Sequence, residues 1–206
     1  MQTAKSGKEK KLNKIVPVLL VLAAAGIFLI ACRLLRLENR GMTRSAVTAA
    51  LYVVLCTLFS PISFGAVQLR VADALALLPV FGLPYVAGVT AGCFLANLLF
   101  NGIIDAVFGS AATLLAAVLA WRLRRSRVRG LALLPALVTV LVNAAVVGLE
   151  LALFYSPDRT FAAALLPAML GVGAGELVSC LVLGVAMVRV IEASPTLRRL
   201  AEGEKV

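Results

Sequence analysis

The sequence of 206 residues contains no histidine. The chain therefore cannot form an HExxH zinc site or the Ser-His and Cys-His pairs of common hydrolases, and it lacks the side chain that most often transfers protons near neutral pH. It also has no GxxxxGK[ST] loop, so ATP hydrolysis of that kind would have to come from another chain. The four cysteines stand singly, without a CxxC pair, which predicts packing residues rather than metal ligands or disulfides. We therefore expect neither an enzyme nor a protein with a metal or other cofactor.

Charged residues are also scarce, at 15% of the chain. Hydrophobic residues reach 62% and the mean hydropathy is +1.02, values that a soluble domain of this size could not reconcile with a polar surface. The sequence therefore predicts an all-α integral membrane protein, since about 20 apolar residues in a helix span the bilayer core. The net charge of +10 falls mainly in short loops, where it sets helix orientation and does not indicate nucleic-acid binding.

Consecutive apolar runs predict a core of six helices. The runs cover residues 45–59, 71–80, 85–100, 103–123, 131–154 and 161–191. The last run is longer than one span needs, so we expect its first part to be a loop or an interfacial helix.

An additional apolar segment at 15–35 follows a lysine-rich start. We expect an extra N-terminal transmembrane helix here. The alternative is a signal-like segment cleaved before Cys32, because LIAC resembles a lipoprotein cleavage box. The predicted domains are a basic N-terminal region at 1–41, a six-helix membrane domain at 42–192 and a short cytoplasmic tail at 193–206.

The loop WRLRRSRVRG predicts the orientation, because short cytoplasmic loops are rich in Lys and Arg. It carries five arginines between Arg122 and Arg129. Alternation of the spans then places the basic residues before the first core helix and the C-terminal tail in the cytoplasm as well. The turn near Asp105 faces outward. An extra first helix would put the lysine-rich start outside, against the same rule.

Two glutamates stand within the apolar runs, where a charged side chain is unfavourable by about 2.5–3.5 kcal/mol and usually faces protein or a cavity. Glu176 follows GVGAG, whose glycines allow a ligand or a neighbouring backbone to approach closely. Glu150 lies seven residues after Asn143, so both lie on one helical face. We predict that these three side chains line a ligand site. The alternatives are a structural bond between helices for Asn143 and an interfacial position for Glu150.

Three more polar residues, Asn97, Asn101 and Asp105, step by four along the third run and its exit. If the helix continues through them, they form one polar stripe. The alternatives are an asparagine that bridges helices and an Asp105 that caps the next helix.

The connection SPISFGAVQLRVADALALLP brings Gln68, Arg70 and Asp73 within six positions of one another. Such a trio between two apolar runs indicates a functional loop. The alternative is that Arg70 and Asp73 pair across one helical turn and only clamp the connection.

Small residues recur in the first core helix, TRSAVTAALYVV. Ser45, Ala46, Ala49 and Ala50 give interleaved small-xxx-small spacings, which let two transmembrane helices touch closely. The stripe predicts a docking surface in the cytoplasmic half of this helix, and the alternative is packing within the protein.

Four longer segments occur in order over residues 43–190. They are SPISFGAVQLRVADALALLP, GCFLANLLFNGIIDAVFGSAATLLAA, VNAAVVGLELALF and GELVSCLVLG. Together they resemble the QueT family of substrate-binding S components of energy-coupling factor (ECF) transporters. The chain departs from the family in the extra apolar segment before Thr43.

The resemblance implies a six-helix S-component fold in the bacterial cytoplasmic membrane, with a binding pocket that opens outward under a roof of loops. Gln68, Arg70 and Asp73 would belong to the lid and rim. The implied floor comprises Asn97, Asp105, Asn143, Glu150 and Glu176. The implied partners are a transmembrane coupling subunit, the T component, and two cytoplasmic ABC-type ATPases. The stripe of Ser45, Ala46, Ala49 and Ala50 would dock on the T component.

The implied ligand is a queuosine precursor, a 7-deazaguanine base in its aminomethyl or cyano form. One carboxylate accepts the two adjacent N–H donors of a guanine-like edge in parallel, a role we assign to Glu176, with Asn143 on the carbonyl side. Glu150 or Asp105 would meet an ammonium group. Phe64 or Phe108 would cover the ring face. The alternatives are an S component for another vitamin and a stand-alone secondary carrier.

Overall fold

The computed structural model describes residues 33, 38–60, 69–156 and 160–203, and these are almost entirely helical. The predicted N-terminal helix at 15–35 lies outside the described residues, as do Phe64 and Gln68. The described helices are α1 (Asn39–Leu58), a 3-10 helix (Val71–Phe81), α2 (Leu83–Phe100), α3 (Ile103–Arg122), α4 (Leu133–Phe154), α5 (Phe161–Ala193) and α6 (Pro195–Glu202). Five of them are long and apolar enough to cross a membrane. The predicted all-α membrane fold is confirmed, with one helix for each of the six apolar runs.

The turn between α2 and α3 separates the two halves of the predicted polar stripe. α2 ends at Phe100, and Gly102 adopts a φ of 103°, a left-handed conformation that side chains disfavour. α3 then starts at Ile103 and runs back along α2. The stripe of Asn97, Asn101 and Asp105 is therefore not continuous, because the chain reverses direction before Asp105.

Successive helices alternate in direction, and their contacts define two ends of the bundle. At the end that we call the basic end, Arg44 Nη1 donates to the Ala201 carbonyl over 3.0 Å, and Arg127 Nη2 lies 2.6 Å from Glu192 Oε1. The start of α1, the loop after α3 and the C-terminal helix α6 thus meet there. The positive-inside rule assigns this end to the cytoplasm. The candidate ligand residues lie toward the opposite end.

The 3-10 helix occupies the centre of the bundle. Residues 72–80 are all buried, and the helix contacts α1, α2, α3, α4 and α5. Its sequence, VADALALLPVF, is apolar on every side because every side faces protein. At about 2.0 Å of rise per residue, its 11 residues extend about 22 Å.

α5 departs from regular α-helical geometry in its middle. Residues Leu177–Gly184 form a π-helix, which begins directly after Glu176. A Cβ atom on Gly184 would lie 3.1 Å from the Ala74 carbonyl oxygen, so this glycine permits close contact with the 3-10 helix. π-helical turns occur frequently at functional sites.

The first part of α5, expected to be a loop or an interfacial helix, is a regular helix over Phe161–Glu176 that packs along α4. The reason is a close helix contact at Gly148, where a Cβ atom would lie 2.6 Å from Met169 Cγ. Small residues permit such contact between membrane helices.

Candidate ligand-binding site

Polar side chains of the described spans gather inside the bundle. Arg70, Asp73, Asn97, Asp105, Asn143, Glu150 and Glu176 are each at most 6% exposed. Buried charges in a membrane protein need protein, water or ligand partners, because lipid offers none. This group, which we call the polar cluster, contains seven of the eight described residues that the sequence analysis assigned to ligand binding. The eighth is Phe108.

Glu176 joins α5 to α4. Its Oε1 accepts a hydrogen bond of 3.0 Å from Asn143 Nδ2, and its Oε2 accepts one of 3.1 Å from Cys180 Sγ. Each carboxylate oxygen has two lone pairs, so both oxygens keep accepting capacity. Asn143 Oδ1 has no hydrogen-bond partner among the described residues. The pair thus offers several acceptors side by side, together with the second N–H of the Asn143 amide.

The start of the 3-10 helix places Arg70 and Asp73 beside Glu176. Asp73 Oδ1 accepts a hydrogen bond from the Tyr52 hydroxyl of α1. The Asp73 carbonyl lies 3.2 Å from Cys180 Sγ and shares its single proton with Glu176 Oε2. Arg70 interacts electrostatically with both Asp73 and Glu176. The two residues assigned by resemblance to a lid and rim are thus only 6% and 2% exposed. They lie deeper because the 3-10 helix that carries them is itself enclosed by the bundle.

Asn97 lies next to Arg70 because a glycine on α3 leaves room for both. A Cβ atom on Gly109 would lie 2.6 Å from Asn97 Nδ2 and 3.9 Å from Arg70 Nη1. Asn97 Nδ2 donates to Cys93 Sγ over 3.3 Å, and Thr113 Oγ1 donates to the same sulfur over 3.2 Å. Asn97 therefore links α2 to the polar cluster.

Asp105 and Glu150 form the part of the cluster nearest the opposite end of the bundle. The two carboxyl groups lie near enough to interact electrostatically, and Arg70 lies within electrostatic range of Glu150. Glu150 is 1% exposed and therefore faces protein, and its Oε1 has no hydrogen-bond partner among the residues described. Two adjoining carboxyls repel each other when both are ionised, so this arrangement favours a bound cation or a shared proton.

Tyr155 closes this part of the cluster. Its hydroxyl donates to Asp105 Oδ1 over 2.6 Å. This hydrogen bond raises the pKa of Tyr155 to about 12, so the hydroxyl stays protonated and keeps donating at physiological pH. The N-cap of α3 is Gly102, without a side-chain capping bond. Asp105 therefore bonds to Tyr155 rather than capping α3.

Phe108 lies on α3, half-buried, one turn beyond Asp105. Its ring stacks in a tilted arrangement on Phe154, with 5.5 Å between the ring centroids and 53° between the planes. The contact fixes this ring against the end of α4.

The small-residue stripe of α1 divides between two faces. Ser45 and Ala49 are buried against α2, where a Cβ atom on Gly88 would lie 2.7 Å from the Ser45 carbonyl oxygen. Ala46 and Ala50 are exposed on the outer face of α1. Packing within the protein therefore accounts for Ser45 and Ala49, and Ala46 and Ala50 remain available for a partner.

Sequence reasoning missed three contacts that complete the cluster: those of Tyr52, Tyr155 and Cys180. The chain has three tyrosines, and each donates a hydrogen bond in the structure. A tyrosine in an apolar run was a usable signal, because a buried hydroxyl needs an acceptor. Cys180 lies four residues after Glu176, a spacing that places it on the same helical face.

Comparison with known proteins gives the family. The QueT transporter family model matches residues 42–193, which include every described residue of the polar cluster. A curated relative, the queuosine precursor transporter QueT of Lactococcus lactis subsp. cremoris (strain MG1363), is 38% identical over 71 residues. This match covers 34% of the chain and 42% of the relative, so the aligned part spans less than half of that protein. No solved structure matches the chain. Since the family model covers most of the sequence, the chain belongs to the QueT transporter family.

Proposed function

We propose that this chain is the substrate-binding S component of an ECF-type importer in the bacterial cytoplasmic membrane. It captures a queuosine precursor, a 7-deazaguanine base, from outside the cell. A T component and two ABC-type ATPases then drive its delivery to the cytoplasm. Support comes from membership of a transporter family, from the membrane-spanning helices and from a polar cluster buried among them.

The Glu176–Asn143 pair is the observation that carries the proposal. A guanine-like edge presents two adjacent N–H donors and a neighbouring carbonyl oxygen. The remaining lone pairs of Glu176 suit the two donors, and the second N–H of Asn143 suits the carbonyl. Because the site is buried, an unmatched ligand would leave these groups without hydrogen bonds, which penalises its binding.

The carboxyls of Asp105 and Glu150 suit the substituent of the base. An aminomethyl group is a cation at neutral pH and relieves the repulsion between two adjoining carboxylates. Phe108, held against Phe154, supplies an apolar ring face on the same side of the bundle. We therefore favour the aminomethyl base over the cyano base as the ligand.

In this proposal, the ATPase subunits supply the energy for uptake. The sequence has no P-loop with which this chain could hydrolyse ATP itself. Uptake therefore requires the ATPase subunits, and the exposed pair Ala46 and Ala50 is the surface proposed for the T component.

Calorimetric titration of the full chain in nanodiscs tests the substrate. The ligands are the aminomethyl and cyano deazaguanines, queuine, guanine, thiamin, riboflavin and biotin. We expect tight binding of one deazapurine and no response to the vitamins. A clear response to a vitamin alone would discard the proposed substrate, and silence with every ligand in folded protein would discard the proposed site.

Glu176→Gln tests the role of the carboxylate. The variant keeps an acceptor for Asn143 but replaces one ligand-facing oxygen with an amide, so affinity for the base should fall about tenfold or more. The matched control is Glu38→Gln, which changes the same functional group at an exposed position before α1. Equal affinity in both variants would contradict the assignment.

A further inference from the structure

A cleft of about 560 Å³ lies at the basic end, away from the polar cluster. Its walls carry five arginines and two glutamates from the loop after α3, the end of α5 and α6. Its floor includes Val80 and Phe81, at the end of the 3-10 helix. The volume falls within the range of about 300–1,000 Å³ that is usual for small-molecule sites.

The cleft keeps an excess of positive charge. Arg127 Nη2 pairs with Glu192 over 2.6 Å and Arg198 Nε pairs with Glu202 over 2.9 Å, so both glutamates are already engaged. No ion pair of Arg125 or Arg189 is found within the described ranges 38–60, 69–156 and 160–203.

Two neighbouring arginine groups are held in position for a ligand. Arg124 lies over Trp121, 4.7 Å from the ring centroid, and donates to the Trp121 carbonyl over 3.0 Å. Arg127 Nη1 is buried and has no hydrogen-bond partner in the part of the chain that the structure describes. A planar guanidinium with a fixed direction suits phosphate oxygens, which accept two parallel N–H bonds.

The surroundings of the cleft indicate where such a phosphate would come from. α6 exposes Leu197 at 43% and Leu200 at 54%, beside the arginines at 198 and 199. Short helices with this mixture lie in the plane of lipid headgroups, and tryptophans such as Trp121 are enriched at the same depth. These features are typical of a segment at the depth of the phospholipid phosphates.

We propose that this cleft binds the phosphate headgroup of an anionic phospholipid from the cytoplasmic leaflet. Arg125 and Arg189 hold the phosphate, with Arg127 Nη1 beside them. Val80 and Phe81 contact the apolar part of the lipid next to the headgroup. The site does not depend on which base the polar cluster binds.

Native mass spectrometry of the full chain released from nanodiscs tests this site. The discs contain phosphatidylcholine alone or with increasing phosphatidylglycerol, and the measured quantity is the phosphatidylglycerol retained per protein. Inorganic phosphate and ATP, added to phosphatidylcholine discs, serve as free anions. We expect retention of phosphatidylglycerol and no comparable binding of the free anions.

A pair of double variants separates the cleft from general surface charge. Arg125→Gln/Arg189→Gln should lower the apparent affinity for phosphatidylglycerol about tenfold or more, the range for loss of hydrogen bonds to a charged group. The control, Arg40→Gln/Arg122→Gln, removes the same charge from exposed positions at the basic end outside the cleft. It should lower the affinity clearly less, because these arginines contribute only the general attraction to an anionic surface. Equal losses in the two variants would overturn the proposal, and so would cleft-dependent binding of phosphate or ATP without lipid retention.

Arg125→Lys/Arg189→Lys keeps the test decisive if the glutamine variant folds poorly. The charge remains but the planar fork is lost, so retention should fall to an intermediate level. Retention equal to that of the unmodified protein would contradict the recognition of phosphate by Arg125 and Arg189. Thermal unfolding in one detergent checks that each variant is folded, whatever ligand the polar cluster binds.

Discussion

At the scale of single residues, the polar cluster divides into two parts with different charge. Glu176 and Asn143 offer hydrogen bonds to an uncharged edge, whereas Asp105 and Glu150 place two carboxyls together. In the proposed site, this division would separate recognition of the base from recognition of its substituent.

Glu150→Gln tests the second part. The variant removes one negative charge but keeps the size of the side chain, so affinity for the aminomethyl base should fall about tenfold, the range for hydrogen bonds to charged groups. Affinity for the uncharged cyano base should change by less than about threefold or rise, because repulsion from Asp105 is removed. Calorimetry with both ligands measures the difference. An equal loss for both bases would contradict a cation subsite.

The sequence was informative about these residues where burial in the membrane forces a partner. Glu150, Asn143 and Glu176 interrupt apolar runs, and the structure buries all three inside the bundle. The sequence was less informative about Arg70 and Asp73. The spacing of Arg70 and Asp73 does not reveal that the 3-10 helix is enclosed on all sides. The same sequence pattern would therefore occur whether these two residues lay in an exposed loop or inside the bundle.

At the scale of helices, the contact between α1 and α2 depends on glycines. A Cβ atom on Gly88 would lie 2.7 Å from the Ser45 carbonyl oxygen, and one on Gly92 would lie 2.6 Å from Tyr52 Cβ. Backbone at such a distance cannot move aside without shifting a whole helix. Because Tyr52 bonds to Asp73, this contact also positions the polar cluster.

Gly88→Ala should therefore destabilise the protein by about 1–3 kcal/mol, the usual range for overpacking. The matched control is Gly173→Ala in α5, where the added Cβ would lie 3.5 Å from Ala144 Cβ, an ordinary contact. That change should be neutral or stabilise the helix by up to about 1 kcal/mol, because alanine favours helices over glycine. Thermal unfolding in one detergent compares the two. Similar unfolding temperatures would show that α1 and α2 are not closely packed.

Apolar runs predicted the existence of these helices but not their type. The run at 71–80 gave no sign of a 3-10 helix, and LVSCLVLG gave no sign of a π-helix. A 3-10 helix makes poorer backbone hydrogen bonds than an α-helix, and a π-helix usually forms only a single turn. Longer stretches of either type therefore depend on tertiary contacts. Here the two elements pack directly on each other, with Gly184 against Ala74. The local sequence pattern does not predict this contact, because the two residues are far apart in the chain.

At the scale of the whole molecule, one face of α1 packs inside the bundle and the other face is exposed. Ser45 and Ala49 hold the bundle together, while Ala46 and Ala50 are exposed and free to contact the proposed T component. Ligand binding and coupling to the ATPases should therefore be separable by mutation.

Ala46→Leu/Ala50→Leu should block copurification with the T component and abolish uptake, because larger side chains prevent close helix contact. Affinity for the deazaguanine should stay within about twofold, since the polar cluster is not touched. The control is Ala111→Leu/Ala163→Leu, which adds the same volume at exposed positions of α3 and α5. Intact copurification of the Ala46/Ala50 variant would locate the T component on another face.

The central 3-10 helix has a consequence for how the protein is assembled in the membrane. At about 22 Å it is shorter than the bilayer core of about 30 Å. A buried arginine, Arg70, precedes it, and a buried aspartate, Asp73, lies in its first turn. Such a segment is a poor candidate for separate insertion during synthesis. Because α1 and α2 run parallel, we expect this segment to cross the bilayer together with them and to be enclosed as the later helices close. Closure of the bundle and formation of the ligand site would then be one event, so an incompletely assembled chain would bind nothing.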